Sequence, residues 1–171
     1  MYKFSQIALI TVFSTAGLLA ADLPAAHDQS FVNKAAQGGQ AEVKLGQLAA
    51  QKASNQKVRD FGQRMVADHS KAGQQLTSIA QKKSITPPST LTSEDEALYN
   101  RLNGMSGADF DKAYMSEMVK DHQKDIDEFQ NEADSGKDSD VKAFASRTLP
   151  TLREHLQMAK DAAAAVGASQ Q

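Results

Sequence analysis

The chain contains no cysteine and no tryptophan, only 4 prolines, and 6% aromatic residues. The missing cysteine excludes disulfides, thiolate zinc sites, iron–sulfur clusters, a cysteine nucleophile and a lipid-modified N-terminal cysteine. Any metal must therefore rest on His, Asp, Glu or Met. Basic charge is not in excess either: 19 Lys+Arg against 21 Asp+Glu leave a net -2 over 171 residues, which sets nucleic acid aside as a partner. Scarce aromatics beside abundant Ala, Gln, Lys, Asp and Glu are the composition of helices rather than of a sheet. The chain also shows no Gly-rich phosphate loop, nucleophile elbow or Ser/His/Asp arrangement, so no enzyme class declares itself.

A long apolar run occurs only at the N-terminus. Lys3 supplies a positive start, Ile7 to Leu19 an apolar stretch, and Ala20-Ala21 a small-residue end before Asp22. This pattern predicts a signal peptide over residues 1–21 cleaved near Ala20–Ala21, and a single mature domain over 22–171 in the periplasm. The run is short for a retained span of ~20 apolar residues. Nothing after it is long and apolar enough to span a bilayer, and losing the leader removes one basic residue, Lys3, and no acidic one.

What fills the mature chain is helical periodicity. The first predicted helix runs from an N-cap at about Asp28 to about Ala53, with Phe31, Ala35, Gly38, Glu42, Leu45 and Ala49 on one stripe. The second, from Asn55 to Lys83, carries Val58, Gly62, Met65, His69, Ala72, Leu76 and Ile79. From Ser84 to Gly107 the pattern breaks at Pro87-Pro88, and Ser93-Glu94-Asp95-Glu96 reads as a capping box opening a short helix through Leu102. A third long helix starts in the Ser106 to Asp109 region and carries Phe110, Tyr114, Met118, His122, Ile126 and Phe129 to a stop at Ser135-Gly136. The fourth starts at Asp138 or Ser139 and carries Val141, Ala145, Leu152, His155, Ala159 and Ala162. Its Pro150 predicts a kink, or a helix restarted at Thr151. The fold class is all-α: a four-helix bundle, ferritin-like, whose long connection between the second and third long helices holds a short extra helix and can return along the ~40 Å bundle. Up-down-up-down order is the alternative.

Three of the four histidines sit on the core stripes of three different helices. An acid precedes each, Asp68-His69, Asp121-His122 and Glu154-His155, and a methionine stands one turn away at Met65, Met118 and Met158. The phrase Met-Val-x-Asp-His-x-Lys occurs twice, at 65–71 and 118–124, an internal repeat that suggests a duplicated helix pair. The first helix contributes Glu42 where an apolar residue is expected. Counted from the helix starts, Glu42, His69, His122 and His155 all fall near mid-height, and bundle helices ~8 to 10 Å apart let such side chains meet. A buried carboxylate needs a counter-charge and each imidazole nitrogen a partner. One transition-metal ion, copper, zinc or iron, would satisfy Glu42 and three imidazoles together, with the nearby thioethers favouring copper. Asp68, Asp121 and Glu154 lie ~100° round their helices from the adjacent His, suited to bonding a neighbouring imidazole rather than the ion. His27, before the first helix, reads as surface.

These residues resemble a family of small exported bacterial proteins that carry a domain of unknown function, are labelled outer membrane proteins and have a ferritin-like four-helix bundle. The marks are Ala41-Glu42-Val43-Lys44-Leu45-Gly46, the Met65 to His69 phrase, Phe110-Asp111-Lys112-Ala113-Tyr114, Met118-Val119 with Asp121-His122, and Thr148-Leu149-Pro150 followed by His155. The resemblance implies the fold and an envelope location; it brings no activity. No Glu or Asp lies three residues before His69, His122 or His155, unlike the Glu-x-x-His of di-iron ferritins. The reading is a periplasmic metal-binding bundle for buffering, delivery or envelope stress protection, with the metal ion as partner and no protein partner implied. Two alternatives stand beside it: a structural or interaction bundle with a hydrogen-bonded Glu–His core, and a metal-dependent oxidoreductase, which needs an open coordination position and a channel to it.

Overall fold

The computed structural model describes residues 25–169; the predicted signal peptide lies outside the described residues. Five helices form: α1 (Ala26–Lys52), α2 (Gln56–Lys82), α3 (Ser93–Asn103), α4 (Gly107–Ser135) and α5 (Ser139–Val166). No strand occurs among the described residues. Local chemistry sets the boundaries. Asn55 Oδ1 accepts the Lys57 N–H at 2.9 Å, and Asp138 Oδ1 accepts those of Asp140 and Val141, each satisfying orphan donors of a first turn. Gly167, at φ 67°, ends α5 in the left-handed conformation.

Three expectations about ends are corrected. Thr92, not Ser93, caps α3, because its hydroxyl accepts the Asp95 N–H. Asp28 lies within α1 and is buried; its carboxylate accepts the N–H groups of Lys137 at 2.9 Å and Asp138 at 3.0 Å instead. The α5 helix is one piece through Pro150, since its apolar stripe stays packed on both sides, at Leu149 and Leu152.

Two carboxylates fix the chain order. Asp111, at the start of α4, accepts from the backbone N–H of Ser54 and Asn55 and from the Ser54 hydroxyl, so α4 begins beside the α1–α2 turn. Asp28 ties the start of α1 to the α4–α5 turn, and Lys83, just past α2, pairs with Asp138 at 2.7 Å. Residues 83–106 therefore carry the chain back along the length of α2. The order is the crossover kind, with α2 parallel to α4 and α1 parallel to α5, and up-down-up-down is overturned. Neighbours α1/α2, α4/α5, α2/α5 and α1/α4 pack together, which leaves α2 and α4 on a diagonal. The repeated phrase thus relates two parallel, diagonal helices. Tandem duplication of a helix pair would instead match α2 with α5, so that reading of the repeat does not hold.

The four long helices bury two apolar layers. One gathers Leu45, Phe61, Met65, Phe110, Tyr114 and Met118; the other Phe31, Leu76, Phe129, Phe144 and Leu152. Along every helix the polar residue of interest falls between the two: Glu42 on α1, His69 on α2, His122 on α4 and His155 on α5.

Candidate metal centre

The three histidines meet. Ring centroids lie 5.9 Å apart for His69 and His122, 5.4 Å for His69 and His155, and 5.4 Å for His122 and His155. One nitrogen from each ring lies within 4.8 Å of the other two. Three imidazole nitrogens on one ion at ~2.0 to 2.1 Å stand roughly 3.3 to 3.6 Å apart, so small side-chain shifts would close the site.

Hydrogen bonds decide which nitrogens are free. His122 Nδ1 donates to the Met118 carbonyl at 2.9 Å, and His155 Nε2 donates to Asp68 Oδ2 at 2.9 Å. A carbonyl and a carboxylate only accept, so each of these nitrogens carries the proton and its partner nitrogen carries the lone pair. Those partners, His122 Nε2 and His155 Nδ1, together with His69 Nε2, are buried and have no hydrogen-bond partner. Burial, reinforced by the neighbouring imidazoles, lowers the His69 pKa to about 3; burial first and then His155 lower that of His122 to about 4. Burial also lowers His155, against the pull of Asp68. The trio is neutral at physiological pH.

The flanking acids divide. Asp68 holds His155 and is itself held by the Arg64 Nε–H; burial opposes ionisation there, but the bonds from Arg64 and His155 outweigh it and lower its pKa. Glu154 points outward to Arg64 at 3.4 Å. Asp121 faces a groove beside α1, where burial and then Glu117 raise its pKa to about 6. Met65 and Met118 are buried in the adjoining apolar layer, with Met158 packed against it.

Glu42 is 4% exposed, with Oε1 3.8 Å from His122 Nδ1 and Oε2 without a hydrogen-bond partner. It approaches the edge of His122 already held by Met118, away from the free Nε2, and it stands outside the trio of mutually close ligand atoms. Burial first, then Asp125, Asp121 and Asp95, raise its pKa well above the usual carboxylate value.

Sequence reasoning missed three parts of this region. Arg64, one turn before Asp68, was legible as an i,i+4 ion pair. Asp125 needed the groove to be seen: burial and Asp121 raise its pKa to about 7. The third is a cavity of about 50 Å³ touching His69 and His155, room for a few waters. A second cluster lies at the bundle end, where exposed His27 stands 3.1 Å from buried Glu132, beside Asp28. His27 was expected to be plain surface.

The fold and site define an all-α, ferritin-like helical protein with a buried layer of three neutral imidazoles. The chain belongs to the DUF4142 family, a domain of unknown function, which matches residues 14–162. Among solved structures, it resembles a DUF305 fragment from Deinococcus radiodurans at 14% identity and a TM-score of 0.73, covering 85% of this chain and 98% of that one. It resembles CopM in the Cu(I)-bound form at 14% identity and a TM-score of 0.65, covering 78% and 93%. A dodecameric thioferritin, the bacterioferritin-related protein of Bacteroides fragilis, matches at 16% identity and a TM-score of 0.62, covering 82% and 85%. At these identities the likeness is one of fold. No curated protein gives a significant match. Among the described residues, no helix is long and apolar enough to cross a membrane.

Proposed function

We propose that this protein binds one transition-metal ion through His69 Nε2, His122 Nε2 and His155 Nδ1, and serves to buffer or deliver it in the cell envelope. The observation that carries the reading is the set of three buried ring nitrogens without hydrogen-bond partners, one on each of three helices, in histidines that each bring a ligand atom within 4.8 Å of the other two. A hydrogen-bonded structural layer would leave no such set, because a buried acceptor without a donor costs ~1 to 3 kcal/mol. Charge selects among metals. Neutral imidazoles supply none, and the ionised group bonded to the layer is the Asp68 carboxylate. That carboxylate is already paired with Arg64, so the ion's charge enters largely uncompensated, at a cost greater for a divalent ion than for a monovalent one. This arithmetic favours Cu(I), and the CopM fold likeness runs the same way. Glu42 is the anion at hand for zinc or iron, as a fourth ligand after a side-chain shift. The N-terminal leader pattern supports a periplasmic location on this reading.

The test is elemental mass spectrometry on protein exported with its own leader and purified without chelator, followed by anaerobic Cu(I) titration against a chromophoric competitor. We expect one equivalent per chain in the wild type and at least a hundredfold weaker binding in His69→Ala/His122→Ala. A wild type that takes up no copper, zinc or iron, or a folded double variant that stays fully loaded, would falsify the site.

A further inference from the structure

The trio leaves Glu42 without a task. A carboxylate 96% shielded from water, with one oxygen unpartnered, is a costly thing to keep. Its surroundings suggest the reason. It forms the floor of a groove of about 550 Å³ between α1, α3 and α4 whose walls hold seven carboxylates against three basic side chains. Two of those three cations are already taken: Arg101 by Glu117 at 2.9 Å and Lys34 by Glu128 at 3.4 Å. Glu42, Glu94, Asp95, Asp121 and Asp125 therefore share Lys124 alone; above pH 7, where Asp121 and Asp125 have lost their protons, this is a cleft of one sign on low-dielectric walls, which concentrates counter-ions.

The groove adjoins the histidines. Lys34, Gly38, Asp125 and Glu128 line both the groove and the 50 Å³ cavity that touches His69 and His155. The Lys34–Glu128 ion pair joins α1 to α4 at this shared wall. Space there is kept by glycine: a Cβ at Gly38, Gly39 or Gly73 would meet no atom within 4 Å. A mid-helix glycine costs about 1 kcal/mol relative to alanine, and packing at these three positions does not demand it.

We infer that the α1–α3–α4 groove is the loading route for the metal, a vestibule for a hydrated transition-metal cation in which Asp125 and Glu42 are the inner carboxylates and Gly38 marks the passage to the histidines. This inference rests on the proposed three-histidine site. The cation is drawn into the groove by the charge of its carboxylates, passes the Lys34–Glu128 wall, and is taken up by the imidazoles. The histidines are neutral already, so loading them releases no proton. A route, unlike a ligand, changes the rates of binding and release by the same factor and leaves the equilibrium alone.

The experiment is stopped-flow transfer of Cu(I) from a cationic chromophoric Cu(I) chelate of a neutral diimine ligand to the full mature protein under argon at pH 8, at ionic strengths from 10 to 500 mM, with release measured against a stronger chelator. The variants are Asp95→Asn/Asp125→Asn, Gly38→Leu and, as a control that fits the same space, Gly38→Ala. We expect wild-type loading to slow steeply with salt. The Asn pair should load at least tenfold more slowly at low salt with a flatter salt dependence. Gly38→Leu should slow loading and release alike, with affinity within threefold of wild type, while Gly38→Ala stays close to wild type. Relieving like-charge repulsion and filling open space both favour folding, which melting curves verify. If the Asn pair and Gly38→Leu load and release at the wild-type rate, the route is overturned while the metal site stands. A wild type that binds no Cu(I) overturns the site and the route with it, and the His69→Ala/His122→Ala control tells the two failures apart.

Discussion

At the scale of single residues the centre depends on which ring nitrogen holds the proton, and Asp68 decides that for His155. Its Oδ2 receives the imidazole N–H at 2.9 Å and is anchored in turn by Arg64, so the free nitrogen of His155 is aimed inward by a bond made on the far side of the ring. Outer partners of this kind set the tautomer and orientation of a ligand, and their loss costs ~10- to 100-fold in metal affinity. Asp68→Asn should therefore weaken Cu(I) binding by that factor, read by chelator competition. Substituting Glu154, whose carboxylate reaches only Arg64, should leave the affinity nearly unchanged. Equal effects from the two would mean that the acid before each histidine acts through general charge and not through orientation.

At the scale of elements, glycines separate close packing from open space. A Cβ on Gly62 would stand 2.7 Å from the Gly46 carbonyl oxygen and 2.9 Å from Ala49 Cβ, and one on Gly46 2.7 Å from the Gly62 oxygen; α1 and α2 cross backbone to backbone there. Gly62→Ala must push the helices apart, and overpacking of this kind costs ~1 to 3 kcal/mol despite the gain in helix propensity. Gly73→Ala meets nothing and should stabilise by about 0.5 to 1 kcal/mol. Urea unfolding of both variants checks the opposite signs. Periodicity made the long helices and the level of the histidines legible, because the i, i+3, i+4 stripe that buries Met65 and Leu76 also buries His69 between them. It could not show what the rest of each side chain does. Asp28 has the residue type and position of an N-cap, yet its carboxylate bridges to residues 109 and 110 positions away. Glu42 shares the stripe and the level of the histidines, but its carboxylate meets the occupied edge of His122 and the groove beyond. Side-chain direction at that resolution is set by packing between helices, which a one-dimensional pattern does not carry.

At the scale of the whole molecule, two sets of buried groups titrate in opposite senses and together set how stability responds to pH. Glu132 has its pKa raised to about 7 by burial and then by the facing Asp28 carboxyl, and Asp125 is raised to about 7 by burial and Asp121. Their folded pKa values lie above those of the unfolded chain, so the folded state holds protons that the unfolded state has lost. That contribution is complete below the ordinary carboxylate range and disappears as pH rises through about 7. His69 and His122 run the other way: their folded values, about 3 and about 4, lie below the unfolded 6.5. The stability they confer is complete above 6.5 and is lost as pH falls towards 4, because the unfolded chain then takes up protons that the buried rings refuse. Between roughly 4.5 and 6.5 the two slopes oppose each other; above 6.5 only the carboxylates act. The metal-free protein should accordingly melt highest in mildly acidic buffer and lower at pH 8. Glu132→Gln supplies permanently the neutral side chain that the folded protein otherwise maintains by holding a proton, so it should narrow the melting difference between pH 6 and pH 8 and, with one opposing slope gone, make stability fall more steeply as pH drops from 6.5 to 4.5. His122→Gln should flatten the acid side alone. Melting curves of chelator-treated protein across pH 4 to 9 read both limbs, and a wild-type difference that Glu132→Gln does not narrow would mean that Glu132 is ionised in the folded protein at both pH values.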